Sequence, residues 1–300
     1  VANIRLSLVI PCLSLEDRKL KELLASIERQ DFPKDEMEVL VITDGTSESA
    51  KAIGIRRANG EVIGILASDN ELIGKNTLKL LYEGAIGYDS CFSMRYFYKK
   101  DDDILNRYFS LIGGNDVLSY YLGKNDRCEQ WDVIWTNGFD YKHKSLGDNG
   151  FFVKKSLIES TDLNNYYHVD NATEAINVCP AIYQIPGIWH KTGGNIFSFF
   201  RKRYRYGLQH AFNPNRRWHL VDFRKPQDIW RLVCFIFVTL TVIQPLMLSI
   251  RGYLKIRDVA WFLHWPICLI TLFTYGLLVV NLTIKRIFQL LSAPLTAQRA

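Results

Sequence analysis

The chain has 300 residues, 48% of them apolar, and a formal net charge of +6, which allows one large or two modest domains. The charge is concentrated: residues 201–231 carry nine basic and two acidic side chains, leaving the rest close to neutral. This placement favours anionic headgroups or a phosphate-bearing substrate and argues against nucleic acid, for which no basic-aromatic platform occurs elsewhere.

Residues 5–11, RLSLVIP, read as a buried strand stopped by Pro11. Leu20, Leu23, Leu24 and Ile27 follow at helical spacing. A second apolar strand, 39–42, then runs into Thr43-Asp44-Gly45-Thr46. Strand, helix, strand is the start of a nucleotide-binding βαβ unit. A carboxylate at a strand's carboxyl end, here Asp44, can accept hydrogen bonds from a ribose or a base N–H. A simple turn aspartate before glycine is the alternative.

The segment 55–71, IRRANGEVIGILASDNE, passes through the turn Asn59-Gly60 into a strand apolar on both faces and ends at Ala67-Ser68-Asp69-Asn70. Open α/β sheets bind ligands at this edge, and a carboxylate there suits Mg²⁺ or Mn²⁺ bridging a diphosphate. The competing role for Asp69 is a helix cap.

Taken together, VIPC, VITDGTS and KAIGIRRANGEVIGILASDNE, spanning residues 9–71, resemble the opening of glycosyltransferase family two, with its VIP strand, DDGS-like turn, RNxGIxxAxGE segment and DxD-like metal motif. The resemblance implies a GT-A fold: an α/β, Rossmann-type mixed sheet flanked by helices. It also implies a nucleotide-diphospho-sugar donor contacting Pro11, Asp44, Ser68 and Asp69, with Asp69 on the metal. Two departures stand out. The spacing between Asp44 and Gly54 is short by one strand, and Ala67 replaces the first aspartate of the metal motif. One carboxylate then needs the diphosphate and a second protein ligand to complete the metal shell.

Further on, the sequence predicts a helix over 76–84, a strand over 90–98, and a long polar and aromatic insertion over 99–148 that reads as an acceptor-side subdomain or as structural elaboration. Phe151-Phe152-Val153 reads as a strand, and 154–159 resembles the family's strand-to-helix element. In the family an Asp-bearing ED motif then starts a helix and supplies the general base. Asp170 matches it, with Val169 in place of Glu, Glu174 in reserve and helix capping as the alternative. After a strand over 181–185, His190 falls where many GT-A enzymes place a late histidine on the metal, and it would replace the missing carboxylate. Residues 200–207, FRKRYRYG, resemble the QxxRWxxG segment of membrane-bound members and assign Arg203 and Arg205 to the diphosphate. An interfacial basic belt continued by Phe212, Trp218, Phe223 and Trp230 is compatible with that role.

Two uncharged stretches, 232–250 and 259–284, are each long enough to cross a bilayer core, which predicts a C-terminal transmembrane hairpin. The basic residues before the first stretch, with Lys285 and Arg286 after the second, place the soluble part in the cytoplasm. Arg251, Lys255 and Arg257 between the stretches oppose that orientation. Six scattered cysteines without a CxxC pair fit reduced packing residues, and no signal peptide precedes the first strand.

The expected organisation is a catalytic domain over 1–200, a juxtamembrane segment over 201–230 and two spans over 231–300. The expected activity is metal-dependent inverting transfer to a lipid-linked saccharide at a cell membrane. A polyprenyl-phosphate acceptor, which needs no base, and a non-catalytic nucleotide-sugar-binding scaffold are the alternatives.

Overall fold

The computed structural model describes residues 4–93, 97–112, 114–123, 150–178, 182–184, 188–191, 194–211, 216–217 and 219–292. Residues 124–148 of the predicted insertion, the turn Pro186-Gly187, and Phe212 and Trp218 of the basic belt lie outside the described residues.

The first half alternates strands and helices: β1 (Leu6–Pro11), α1 (Arg18–Glu28), β2 (Met37–Ile42), α2 (Ser47–Arg57), β3 (Val62–Ile65), β4 (Asn70–Leu72), α3 (Thr77–Tyr88) and β5 (Ser90–Ser93). No strand separates the Asp44 turn from α2, as the short spacing implies. Two helices from the insertion follow, α4 (Ile104–Ile112) and α5 (Val117–Tyr121). The chain then returns through β6 (Phe151–Lys154), α6 (Lys155–Glu159), α7 (His168–Val178), β7 (Ile182–Gln184) and β8 (Ile188–His190). Helices α8 (Ile196–Tyr206), α9 (Pro226–Thr241), α10 (Ile243–Lys255) and α11 (His264–Ser292) complete it.

Six strands form one mixed sheet in the order β2-β1-β3-β6-β5-β7, in which β1 runs parallel to β2 and β3 while β6 runs antiparallel to β3 and β5. Alternate residues of β1 face opposite layers. Leu6, Leu8 and Ile10 meet Leu20, Leu23 and Ile27 of α1 and Leu78 and Leu81 of α3, whereas Val9 meets Ala52 and Ile55 of α2 with Ala172 and Ile176 of α7. Gly64 interrupts the apolar run of β3 because a Cβ there would lie 2.7 Å from the Phe152 ring on the neighbouring strand. The architecture is therefore the mixed, helix-flanked sheet expected from the sequence.

A second core lies in the helical layer. Tyr108 and Phe109 of α4, Phe199 of α8, Phe235 of α9 and Tyr275 of α11 pack around Trp261. Helices α4 and α5 of the insertion thus join the C-terminal helices. Asp116 sits at their centre. Its Oδ1 accepts from Leu118 N to cap α5, while Oδ2 accepts from Arg203 Nη1 at 2.9 Å and from the Tyr275 hydroxyl at 2.5 Å.

The two uncharged stretches fold differently from each other. Val259–Lys285 is long and apolar enough to cross a membrane. The stretch 232–250 is not one straight helix: α9 and α10 meet at Val242 with a bend of 80°. Pro245 explains the break, because proline lacks the N–H that would bond the carbonyl of residue 241 and its ring clashes with that carbonyl. Val242 takes a left-handed φ of 66°, unusual for a β-branched residue.

Candidate active site

Three segments leave the sheet at one edge. Pro11 ends β1 opposite Ile42, and Cys12 N donates to Ile42 O. The Asp44 turn follows β2, and Leu66 N donates to Val9 O as β3 runs on toward Ser68 and Asp69. This is the carboxyl edge of three parallel strands, where ligands bind in open α/β sheets. Asp44 is exposed there, preceding Gly45 with its φ of 83° and the Thr46–Ser49 capping box of α2.

Asp69 is positioned by a tight turn in which Asn70 N donates to Ala67 O at 3.0 Å and Asn70 Oδ1 accepts from Ala67 N at 2.9 Å. The chain then enters β4, which pairs antiparallel with β8 so that Asn70 lies opposite His190, and Lys191 N donates to Asp69 O at 2.9 Å. That register brings the His190 ring to Asp69: Nε2 and Oδ1 are 3.2 Å apart, the histidine buried and the aspartate partly exposed. Beyond the pair, Lys191 Nζ bonds Glu22 and Glu71, tying α1 to the small sheet.

Asp69 and His190 open on a cavity of about 190 Å³ closed by Asn115, Ser198, Lys202 and Arg203. Lys202 is exposed along its side chain, and partial desolvation of its ammonium, with the neighbouring Lys19 and Arg203, holds it below the usual lysine range against an upward pull from Asp69. Lys19 is anchored from α1 by a 2.6 Å bond from its Nζ to Lys191 O. A carboxylate and an imidazole therefore share a cavity with two cations, Lys202 and Arg203, and Lys19 acts on the first of them. Sequence reasoning selected arginines for bidentate bonding and passed over Lys19 and Lys202. For Lys202, the signal was its place one turn before Tyr206 in the same basic helix.

The residues expected at the diphosphate divide. Arg203 is buried and lines this cavity, yet its guanidinium is also committed to Asp116. Arg205 is exposed on another face of α8.

Asp170 stands in the first turn of α7 and is 4% exposed. His168 N, at the start of that helix, donates to Glu48 Oε2 of α2 at 2.6 Å, so this end of α7 also lies at the carboxyl edge of the sheet. Arg217 covers Asp170: its backbone N lies 3.3 Å from Oδ2, and its Nε lies 3.0 Å from Glu174 and 3.9 Å from Asp170. Arg216 stacks on the Tyr167 ring at 3.5 Å. These groups line a larger cavity of about 780 Å³ reaching Thr46 and Ser47 at the start of α2. Among the described residues, the Asp69 and Asp170 cavities have no lining residue in common.

The 3.2 Å Asp69–His190 contact is that of a paired carboxylate and imidazole, and it also lies close to the spacing of two adjacent ligands on one divalent ion. Two ligands at about 2.1 Å in octahedral geometry stand about 3.0 Å apart, near the observed separation. One carboxylate oxygen and one imidazole nitrogen suit Mn²⁺ at least as well as Mg²⁺. Among the described residues, no group of three or more His, Cys, Asp or Glu side chains is placed to hold a metal ion.

No protein-family model matches the chain, and no curated protein sequence does. Among solved structures, it is similar to the mannosyltransferase PcManGT from Pyrobaculum calidifontis in complex with GDP-Man and Mn²⁺, at 14% identity and a TM-score of 0.46, covering 90% of this chain and 86% of that one. It is also similar to residues 1–349 of S. aureus TarS in complex with UDP, at 13% identity and a TM-score of 0.43, covering 82% and 75%. Against a longer TarS structure, at 14% identity and a TM-score of 0.39, the match covers 72% of this chain and 41% of that one.

Proposed function

We propose that the chain is a glycosyltransferase that moves a sugar from a nucleotide-diphospho-sugar to a lipid-linked acceptor at a membrane surface. The observation that carries this reading is the Asp69–His190 pair at the carboxyl edge of β3, facing a cavity lined by Lys202 and Arg203, with Lys19 close enough to Lys202 to act on its charge. A site with that balance of charge holds a diphosphate: cations offset the negative charge that grows as the sugar–phosphate bond breaks. The cavity is smaller than the roughly 300–1,000 Å³ of whole-ligand pockets, so it takes the diphosphate end, and the nucleoside lies along the open edge toward Pro11 and Asp44.

Asp69 and His190 are the residues that would hold Mg²⁺ or Mn²⁺. When bound, such an ion adds neutralising charge at the leaving phosphate. Lys202 supplies a cation from α8. Arg203, held by Asp116 and lying against the Phe199 and Tyr206 rings, contributes its charge from the cavity wall, and Arg205 does so only by reorienting from its exposed position. Ser68 lies partly exposed in the turn preceding Asp69. Asp170, on the α2–α7 side, is the group proposed to take the proton of an attacking sugar hydroxyl.

A second reading is favoured by Arg216 and Arg217. Two guanidinium groups beside Asp170 suit a phosphate-bearing acceptor, as in a polyprenyl-phosphate sugar synthase, whose nucleophile is already ionised. The test is donor binding and turnover by the purified full chain, using UDP- and GDP-sugars with and without Mn²⁺ and offering dolichyl phosphate or a lipid-linked sugar as acceptor. Binding and transfer support the reading; binding without turnover on any acceptor favours a scaffold; and binding of none of the donors overturns both.

A further inference from the structure

We propose that α9 and α10 form a re-entrant wedge that enters one leaflet of a lipid bilayer and returns to the side from which it came. Neither arm is long enough to cross. At 1.5 Å per residue, the 16 residues of α9 extend about 24 Å and the 13 of α10 about 20 Å, against a hydrocarbon core of about 30 Å. With the direction changing by 80° at Val242, arms that descend symmetrically reach a depth of about 13–15 Å, one leaflet.

The surface agrees with this depth. Phe237, Leu240, Ile243 and Met247, clustered around the bend, are each about two-thirds exposed, and Val233 and Ile250 extend the apolar surface up the two arms. Such a patch has no reason to face water. Exposed Trp230, in the first turns of α9, and Phe223, just before that helix, are placed for the interfacial zone.

The break is also built for a medium without water. A helix end in hydrocarbon must find partners for its open backbone groups. Trp265 Nε1 of α11 donates to Thr239 O at 3.0 Å, and the Thr241 hydroxyl, bonded to Phe237 O at 3.0 Å, also reaches Val238 O at 3.3 Å. Pro245 removes one of the orphan N–H groups from the first turn of α10. The apex is held from the protein side by Tyr121, which donates to Gln244 Oε1 at 2.6 Å, and the far end of α10 is seated where Gly252 leaves room for the Trp261 ring.

Charge placement supplies an independent argument. Were α9 and α10 a crossing segment, Arg251, Lys255 and Arg257 would lie on the side opposite Arg224, Lys225 and Arg231, dividing the basic residues between both faces. In a wedge all six stand at one headgroup layer, which removes that division.

The test uses the full chain in phosphatidylcholine vesicles containing phosphatidylglycerol. Flotation establishes lipid binding, and a membrane-impermeant maleimide is applied before and after permeabilisation to Lys21→Cys, Lys225→Cys and Lys255→Cys, with the unsubstituted protein as blank. The wedge predicts that all three react in the same fraction before permeabilisation. A Lys255→Cys fraction complementary to those of Lys21→Cys and Lys225→Cys overturns it. So does a chain that stays out of the floating fraction, as a monomer or as a dimer covering the patch. Because no readout involves sugar transfer, the result stands apart from the fate of the transferase reading.

Discussion

Asp69 Oδ1 and His190 Nε2 lie 3.2 Å apart because the antiparallel register of β4 and β8 sets Asn70 opposite His190. The pair therefore depends on backbone pairing, and the Lys191 N to Asp69 O bond continues that pairing to the aspartate itself. Residues from the start and the end of the α/β portion form one site without a flexible loop to carry either side chain.

Lys202 contributes the cation nearest in sequence to the structural arginine, and removing it should weaken the donor without unfolding the protein. Lys202→Ala is expected to raise the donor dissociation constant about tenfold, near 1.4 kcal/mol, with an unchanged thermal midpoint. Arg201→Ala, at an exposed neighbour, serves as the control and should change neither. Equal donor affinities for wild type and Lys202→Ala would remove Lys202 from the site.

Arg203 is expected to report mainly on stability. Arg203→Met leaves Asp116 buried without its guanidinium and should cost about 3–5 kcal/mol in denaturant unfolding. Adding Asp116→Asn, which keeps an oxygen for the Leu118 cap, should recover part of the loss, with a coupling of about 1 kcal/mol or more. Strict additivity would show that the pair is not the unit described.

Asp170→Asn separates the two acceptor readings. If the acceptor is a sugar hydroxyl, donor binding persists while kcat falls by about 10²–10⁴. If the acceptor is a lipid phosphate, turnover survives the same substitution, whereas Arg217→Ala raises the acceptor KM. Normal turnover on a sugar-hydroxyl acceptor by Asp170→Asn rules out the base role.

Acid should loosen the brace beneath the site. The hydrogen bond from Lys191 holds the Glu22 carboxyl below its usual range. A carboxylate with a depressed folded pKa contributes stability above its unfolded value, about 4.3, and loses it as pH falls through the folded value. Glu22 is about a third exposed, so screening keeps the effect small. The difference in thermal midpoint between wild type and Lys191→Met should therefore shrink below about pH 4; a difference constant from pH 7 to 3 would contradict this.

Much of the sheet was legible because buried parallel strands read as continuous apolar runs: the segments ending at Pro11, Ile42 and Leu66 declare themselves, and with them the edge carrying Asp44 and Asp69. The approach of His190 to Asp69 depends on the register of two three-residue strands, too short to leave a pattern. Arg203 looked like a ligand for phosphate because its partner Asp116 lies 87 residues earlier in an insertion, and although α4 there shows apolar residues at helical spacing, nothing in the chain order links that segment to α8. The separate cavities of Asp69 and Asp170 follow from α7 packing with α2 on one layer of the sheet, a tertiary fact invisible in the chain order. The break at Val242 was available in Pro245, but hydropathy averaged over 232–250 conceals a single proline.

The central claim is that Asp69 and His190 together grip a divalent ion at the donor diphosphate. Calorimetric titration of UDP- and GDP-sugars into wild type, Asp69→Ala and His190→Ala, with Mn²⁺ and with chelator, tests it most directly. Tighter donor binding in Mn²⁺ for wild type, with that gain lost in both variants, is the expected result. A donor affinity that Mn²⁺ raises equally in all three proteins would contradict the account.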